Sequence, residues 1–362
     1  MRRFLWSAFL IIDSFLVVWF VAGFLARWID PRLLWWPQLF AIVLPFTSII
    51  LSLLGLALLY KRKWSLFTTH LIIMVMVGTR FLSFHSLPAP STIPNSDALR
   101  VSSYNLGQLE SLTQPELAEK LSEVLQLISP DVLCLQEFLI RYRGDPLRFR
   151  NLPSVAAMFD SLGFQVVADQ KHAVSHSFKP VFTQRSILSM ISKERLALSD
   201  EETPELSVLR TVVNWKSREV AIYNVHLQTF GERKPWSETT LSPLNPSFWS
   251  QYVSQYRDAF LDRAWQADKI HELIQKEPLP FMIVGDFNST PHNWTFNRIA
   301  TGLQDVYTEA GLKRKMSYHA RFPVVRIDHV LVSDDWDVVS ADILPLKHSD
   351  HRPLVVELRL AE

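Results

Sequence analysis

Ser349-Asp350-His351-Arg352-Pro353-Leu354 is a short polar turn that runs directly into the apolar Leu354-Val355-Val356-Glu357-Leu358. It sets a carboxylate and an imidazole side by side at the mouth of a strand, where a rigid scaffold can hold reactive groups. Alone the pair decides nothing, since most Asp-His neighbours in a long chain are ordinary loop residues. Its companions decide more. Upstream, Asn105, Gln136-Glu137, Asn224-Val225-His226 and Gly285-Asp286-Phe287-Asn288 each stand beside an apolar run, and Arg326-Ile327-Asp328-His329 leads into another.

Between these clusters the pattern alternates between strands and helices. Strands are predicted at 99–104, 132–136, 164–168, 186–191, 207–215, 219–225, 280–284, 330–332, 338–341 and 354–358. Helices are predicted at 114–128, 154–161 and 257–275. So many short strands with few helices predict stacked sheets with helices outside, and they gather the polar clusters along one edge.

The N-terminal third has a different character. Residues 4–26 are apolar apart from Asp13 and two serines, and about 20 apolar residues cross a bilayer. A second uncharged run extends over 33–60, with Pro45 placed to kink it. A third begins at Trp64, contains His70 and ends by residue 84, with Arg80 placed to snorkel. Residues 1–85 therefore read as two to three transmembrane helices, 86–98 as a Pro/Ser-rich linker, and 99–362 as a soluble domain. Arg2, Arg3 and Lys61-Arg62-Lys63 put the N-terminus and the second loop in the cytoplasm. Three crossings then place the soluble domain outside; two would place it inside. Asp13, inside a span, is expected to be protonated or paired.

Charge narrows the partner. Residues 1–95 hold eight Lys/Arg and two Asp/Glu, leaving 29 against 34 in 96–362, a net of −5. That is a poor footprint for tight non-specific duplex binding. The single cysteine, Cys134, reads as a small buried hydrophobe.

Glu137 and Asp350 suit a hard divalent ion, which takes oxygen ligands and only one or two protein carboxylates. Asp286 can orient or deprotonate water, Asn288 can donate to a phosphate oxygen, His226 and His351 can donate to developing charge, and Asp328 can fix an imidazole tautomer. The ordered set Asn105, Gln136-Glu137, Asn224-Val225-His226, Gly285-Asp286-Phe287-Asn288, Arg326-Ile327-Asp328-His329 and Ser349-Asp350-His351 resembles the endonuclease/exonuclease/phosphatase superfamily, with its deoxyribonuclease-I-like fold, over about residues 99–360. The resemblance implies an α/β fold, a four-layered α/β sandwich, and phosphoester hydrolysis dependent on Mg²⁺ or Mn²⁺. It further implies that Glu137 ligates metal, with Asn105 supporting that site and Asp350 close to it. Asp286 would activate water, Asn288 and His226 would stabilise the transition state, and Asp328 would orient His351. Whether Asp286 or His351 is the base stays open.

Two segments bear on substrate. Arg141 and Arg143 begin a basic, aromatic-interleaved stretch just after Glu137, suited to phosphate forks and stacking. Residues 228–256 carry six large aromatics that can meet a lipid interface or pack down locally. The expected partners are thus the membrane and a phosphoester, either lipid or nucleic acid. An integral membrane phosphodiesterase or phosphatase with an extracytoplasmic catalytic domain leads. A nuclease is the alternative, and a non-catalytic binding domain ranks last.

Overall fold

Polar side chains turn inward and apolar ones outward in the N-terminal region, the reverse of a water-soluble helix bundle. The computed structural model describes residues 2–81, 97–107, 113–138, 141–142, 145–146, 153–167, 181–184, 188–198, 207–231, 246–311, 315–319 and 324–361. Helices α1 (Arg2–Leu25), α2 (Pro37–Ile42), α3 (Leu44–Tyr60) and α4 (Trp64–Phe81) come first. They are followed by β1 (Leu99–Asn105), α5 (Gln114–Ile128), β2 (Val132–Gln136), β3 (Arg141–Tyr142), β4 (Asp145–Pro146), α6 (Pro153–Ser161), β5 (Phe164–Val167) and β6 (Val181–Gln184). Then come β7 (Ser189–Ala197), β8 (Ser207–Trp215), β9 (Arg218–His226), α7 (Pro246–Ile274) and β10 (Phe281–Asp286). Last are α8 (Trp294–Ile299), β11 (Gln304–Asp305), α9 (Val306–Glu309), β12 (Asp328–Val332), β13 (Trp336–Ile343) and β14 (Leu354–Leu360).

Two compact units divide the chain. The first joins Met1–Phe84 to Glu232–Ala264 and Ser289–Asn297, so it is not confined to the N-terminal third. Ile11, Ile12, Phe15, Ile49, Leu53 and Ile72 are exposed, while Ser48, Thr47, Gln38, Asp13 and His70 are buried. Asp13 Oδ1 lies 3.0 Å from His70 Nε2, and His70 Nδ1 is 3.0 Å from the Leu66 carbonyl, so the carboxylate inside α1 is paired. Close approach of α3 and α4 needs Gly55, where a Cβ would come within 2.8 Å of His70 Cβ. Among the described residues, Trp6–Trp28 is the one helical stretch long and apolar enough to span a bilayer; Leu44–Tyr60 and Trp64–Gly78 are shorter. The run 33–60 is not one helix. The chain leaves helical geometry at Val43 and restarts at Leu44, so Pro45 occupies a first-turn position where its missing N–H costs nothing, instead of kinking a continuous span.

The second unit holds two six-stranded sheets, in the orders β13-β14-β1-β2-β6-β5 and β11-β12-β10-β9-β8-β7. Strand alternation sends Val101, Cys134, Ile222, Val284, Val330 and Val356 into one shared apolar cluster, so the sheets pack face to face. The opposite face of the first sheet, with Tyr104, Leu133 and Leu135, is covered by Leu117, Leu121 and Val124 of α5 and Val155 and Phe159 of α6. Thr113 starts α5 with a capping box, exchanging bonds with Glu116, three residues into the helix. Beside the second sheet, the backbone N–H of Gln228 donates to Gln266 Oε1 of α7, at 2.9 Å. The architecture is the expected α/β sandwich. Cys134 is fully buried, as read from sequence.

Strand register sets the site. β9 and β10 run parallel with Asp286 opposite His226, and β10 and β12 run antiparallel with Asp286 opposite Asp328. In the other sheet, β1 and β2 run parallel with Asn105 opposite Gln136. Gly285 makes the tight pairing of β9 and β10 possible, because a Cβ there would lie 2.0 Å from the Val225 carbonyl oxygen.

Arg326 serves the frame. It donates to both Asp305 oxygens at 3.0 and 2.6 Å and lies over the Tyr307 ring. Burial pushes the Asp305 carboxyl up, but Arg326 outweighs it and leaves the group below the usual carboxylate range. A depressed carboxylate contributes stability above its unfolded-state value and loses it as pH falls through the folded one. Arg326→Met is therefore expected to destabilise the protein by about 3–5 kcal/mol near neutral pH, since it strands a buried charge. The deficit should shrink in acid. Thermal melts at neutral and acidic pH check this, and an equal deficit at both would refute the pairing.

Candidate active site

At the ends of the two sheets the clusters converge within the second unit. His351 Nδ1 lies 2.8 Å from Asp328 Oδ2, with both residues buried, so the carboxylate can fix the ring and its tautomer. The other ring nitrogen, Nε2, faces Asp286 Oδ2 at 3.8 Å. That oxygen is a hub. Asn105 Nδ2 donates to it at 3.0 Å and to Glu137 Oε1 at 3.1 Å. His226 Nε2 lies 3.8 Å from it and 3.4 Å from Glu137 Oε1. The second Asp286 oxygen, Oδ1, accepts from the Asn288 backbone N–H at 2.8 Å.

Two of these residues have left-handed backbones, Glu137 at φ +51° and Asn288 at φ +47°. A non-glycine residue adopts that conformation at a cost of order 1–3 kcal/mol, and such costs concentrate at functional sites. At Glu137 the twist comes directly after β2, as the carboxylate turns toward Asn105. Buried amides hold the two sheets in register behind it: Gln136 Nε2 donates to Asn224 Oδ1 at 2.8 Å, and Asn224 Nδ2 donates to the Leu135 carbonyl at 3.0 Å.

Burial raises the Asp286 carboxyl above the usual range, and the neighbouring Asp328 carboxylate adds to the rise. For His351, burial acts downward, but Asp328 and Asp286 outweigh it and the imidazole is raised. An acid held near neutrality beside an imidazole stabilised as imidazolium is a pair able to exchange one proton. Glu137, His226 and Asp286 offer ligand atoms within 4.8 Å of one another, as do Asp286, Asp328 and His351. The first group fits a hard cation better: Glu137 is partly exposed, and two carboxylate oxygens converge there. In the second group Asp328 Oδ2 is already committed to His351.

Residues 102–351 match the family described as Endonuclease/Exonuclease/phosphatase family. The chain belongs to that family. Its members are hydrolases of phosphoester bonds. Similar sequences include YbhP of Escherichia coli (strain K12), 22% identical over 251 residues, which covers 67% of this chain and 88% of that one. Among solved structures, TDP2 of D. rerio complexed with single strand DNA product superposes with a TM-score of 0.52 at 16% identity, covering 73% of this chain and 100% of that chain. An endonuclease/exonuclease/phosphatase family protein from Bacteroides thetaiotaomicron gives 0.51 at 17% identity, covering 73% and 98%. At these identities the structural likeness speaks to the fold.

Within the family frame, the structure brings Asn105, Glu137, His226, Asp286, Asn288, Asp328 and His351 together. Asp350 stands slightly apart: its Oδ1 crowds Gly107, where a Cβ would come within 2.5 Å, and it lies in neither cluster of ligand atoms. Asn288 presents its backbone to Asp286, while its side-chain amide donates to the Leu227 carbonyl at 3.0 Å. Arg141 pairs with Pro146 in a two-residue strand, but its side chain and all of Arg143 lie outside the described residues. Sequence reasoning passed over three supports. Ser349 Oγ donates to the Asn105 carbonyl at 2.8 Å and accepts from the His351 N–H at 3.1 Å. Ser317 Oγ accepts the Asp328 N–H at 3.1 Å. The Tyr318 ring sits edge-on to His351 at 5.1 Å. Ser349 could have been found from its place beside Asp350; Ser317 and Tyr318 carry no signal but proximity in space.

Proposed function

We propose that the protein is a membrane-anchored, divalent-metal-dependent phosphoester hydrolase acting outside the cytoplasm on lipid head groups or small phosphoesters. The observation that carries this reading is the inverted packing of the first unit, with Ile11, Phe15, Ile49 and Leu53 outward and Asp13, Ser48 and His70 inward. Only a lipid solvent makes that arrangement favourable. Topology follows from a second contact. Arg27 Nη2 donates to Asn297 Oδ1 at 2.5 Å, so chain from beyond the linker meets the loop after α1. Arg2 and Arg3 keep the start of α1 cytoplasmic, which puts that loop, and residues 289–297 with it, on the outer side whether or not α4 crosses.

In this reading Glu137 and Asp286 hold the divalent ion, with Asn105 fixing both carboxylates. When bound, the ion supplies a Lewis acid that offsets charge on the phosphoryl oxygens. His351, oriented by Asp328, and Asp286 hold and move the proton of the attacking water. His226 donates to the developing negative charge.

The test is hydrolysis by the full chain in nanodiscs with Mg²⁺, Mn²⁺ or EDTA. The substrates are phospholipid vesicles, a generic phosphodiester, and single- and double-stranded DNA. Turnover of lipid or small phosphoester is expected, lost in EDTA. Cleavage of DNA alone would overturn the substrate class in favour of a nuclease.

A further inference from the structure

The amide of Gln38 is almost fully buried, and every hydrogen-bonding position on it is used. Its Nε2 donates to the carbonyls of Ala26 and Ile29 at 2.9 and 3.0 Å, closing the open C-terminal end of the first apolar helix. Its Oε1 accepts from the Trp294 N–H at 3.0 Å and from Asn293 Nδ2 at 3.2 Å. Asn293 Nδ2 also reaches the Gln38 backbone carbonyl at 3.0 Å. One side chain thus ties the end of α1 to the start of α8.

The segment it grips is itself well knit. Asn293 Oδ1 accepts from Thr290 N and Oγ1 at 3.1 and 2.7 Å, and Asn297 Nδ2 donates to the carbonyls of Pro291 and Asn293 at 2.9 and 2.7 Å. Arg32, paired with Asp30 at 2.6 Å, lies over the Trp294 ring at 5.4 Å. Residues 289–297 therefore form a rigid block within the first unit. The residue before the block is Asn288, whose left-handed backbone donates to Asp286. A single peptide bond joins Asn288 to Ser289. Whatever fixes the block fixes the exit of the chain from Asp286-Phe287-Asn288.

We propose that Gln38 is a positioning residue for catalysis: by clamping residues 289–297 to the loop after α1, it sets the backbone of Asn288 and through it the aim of the Asp286 carboxylate. The anchor is then part of the catalytic apparatus as well as a tether. The kinetic side of this proposal rests on the phosphoester-hydrolase reading; the structural side does not.

The experiment uses the full chain in nanodiscs with Gln38→Ala and Asn293→Asp. The second variant keeps the acceptor for Thr290 and removes only the donor to Gln38. Hydrogen exchange in peptides spanning 287–297 is expected to rise about tenfold in both variants, with exchange at 99–105 unchanged. On a generic phosphodiester, kcat is expected to fall about 10- to 100-fold with little change in KM, the scale of a small misplacement of reacting groups. In an Asn288→Ala background, Gln38→Ala should cause no further loss of kcat, because the two act in series. Unchanged exchange at 287–297, or the same fold-loss in both backgrounds, would overturn the proposal. A wild type that hydrolyses nothing would count against the hydrolase reading alone, and the exchange result would still decide the clamp.

Discussion

His351→Ala is expected to lower kcat by about 10²–10⁴-fold, the usual worth of a positioned acid–base group, while KM changes little. The expectation follows from where the ring sits. Nδ1 is committed to Asp328 at 2.8 Å, so only Nε2, facing Asp286 at 3.8 Å, is available for proton work. Asp328→Asn should cost nearly as much, because an amide no longer fixes the tautomer or stabilises the imidazolium. The double variant should be no worse than either single one, since the pair acts as a unit. Steady-state kinetics on purified variants measure this directly. Multiplicative losses would mean that Asp328 and His351 work separately.

Glu137→Gln should abolish most divalent-ion dependence and reduce kcat/KM by about 10³-fold, which corresponds to several kcal/mol of lost charge stabilisation. The fold should survive. A glutamine keeps an oxygen to accept from Asn105 Nδ2, which lies 3.1 Å from Glu137 Oε1, and the residue is partly exposed. Calorimetric titration with Mg²⁺ or Mn²⁺ alone provides a readout free of turnover: wild type binds and the variant binds at least tenfold more weakly. Equal affinity in the two would remove Glu137 from the metal site.

Most of the catalytic unit was legible because short-range pattern and long-range register agree in it. The apolar alternation of Leu354–Leu358 and the buried run Val132–Leu135 marked strands, and the polar residues after them marked sheet ends. β7 was harder to read: residues 185–187 lie outside the described residues, and the strand seen runs over Ser189–Ala197, where Lys193, Glu194 and Arg195 break the apolar pattern. β6, at Val181–Gln184, was missed because only its pairing with β2 and β5 identifies it. α7 begins at Pro246, eleven residues before the predicted start, since its first turns carry aromatics without a clean helical period.

In the site, chain order revealed which residue types were present but not which atoms face each other. Nothing in Gly285-Asp286-Phe287-Asn288 tells that the Asn288 backbone serves Asp286 while its side chain serves Leu227. The role of Arg326 was equally hidden, because Asp305 lies in a segment without a motif. Nor could the sequence show that Gln38, a lone amide after four aromatic and aliphatic residues and a proline, meets Asn293 across 255 positions. The N-terminal third therefore looked separable, whereas part of the chain from beyond the linker packs with it.

The most direct measurement is hydrolysis of a generic phosphodiester by the full chain, titrated with Mg²⁺ and Mn²⁺, beside Asp286→Ala at equal concentration. Turnover that rises with either ion, disappears in EDTA and is absent from Asp286→Ala is the result this account predicts. Turnover indifferent to metal, or retained by Asp286→Ala, would contradict it.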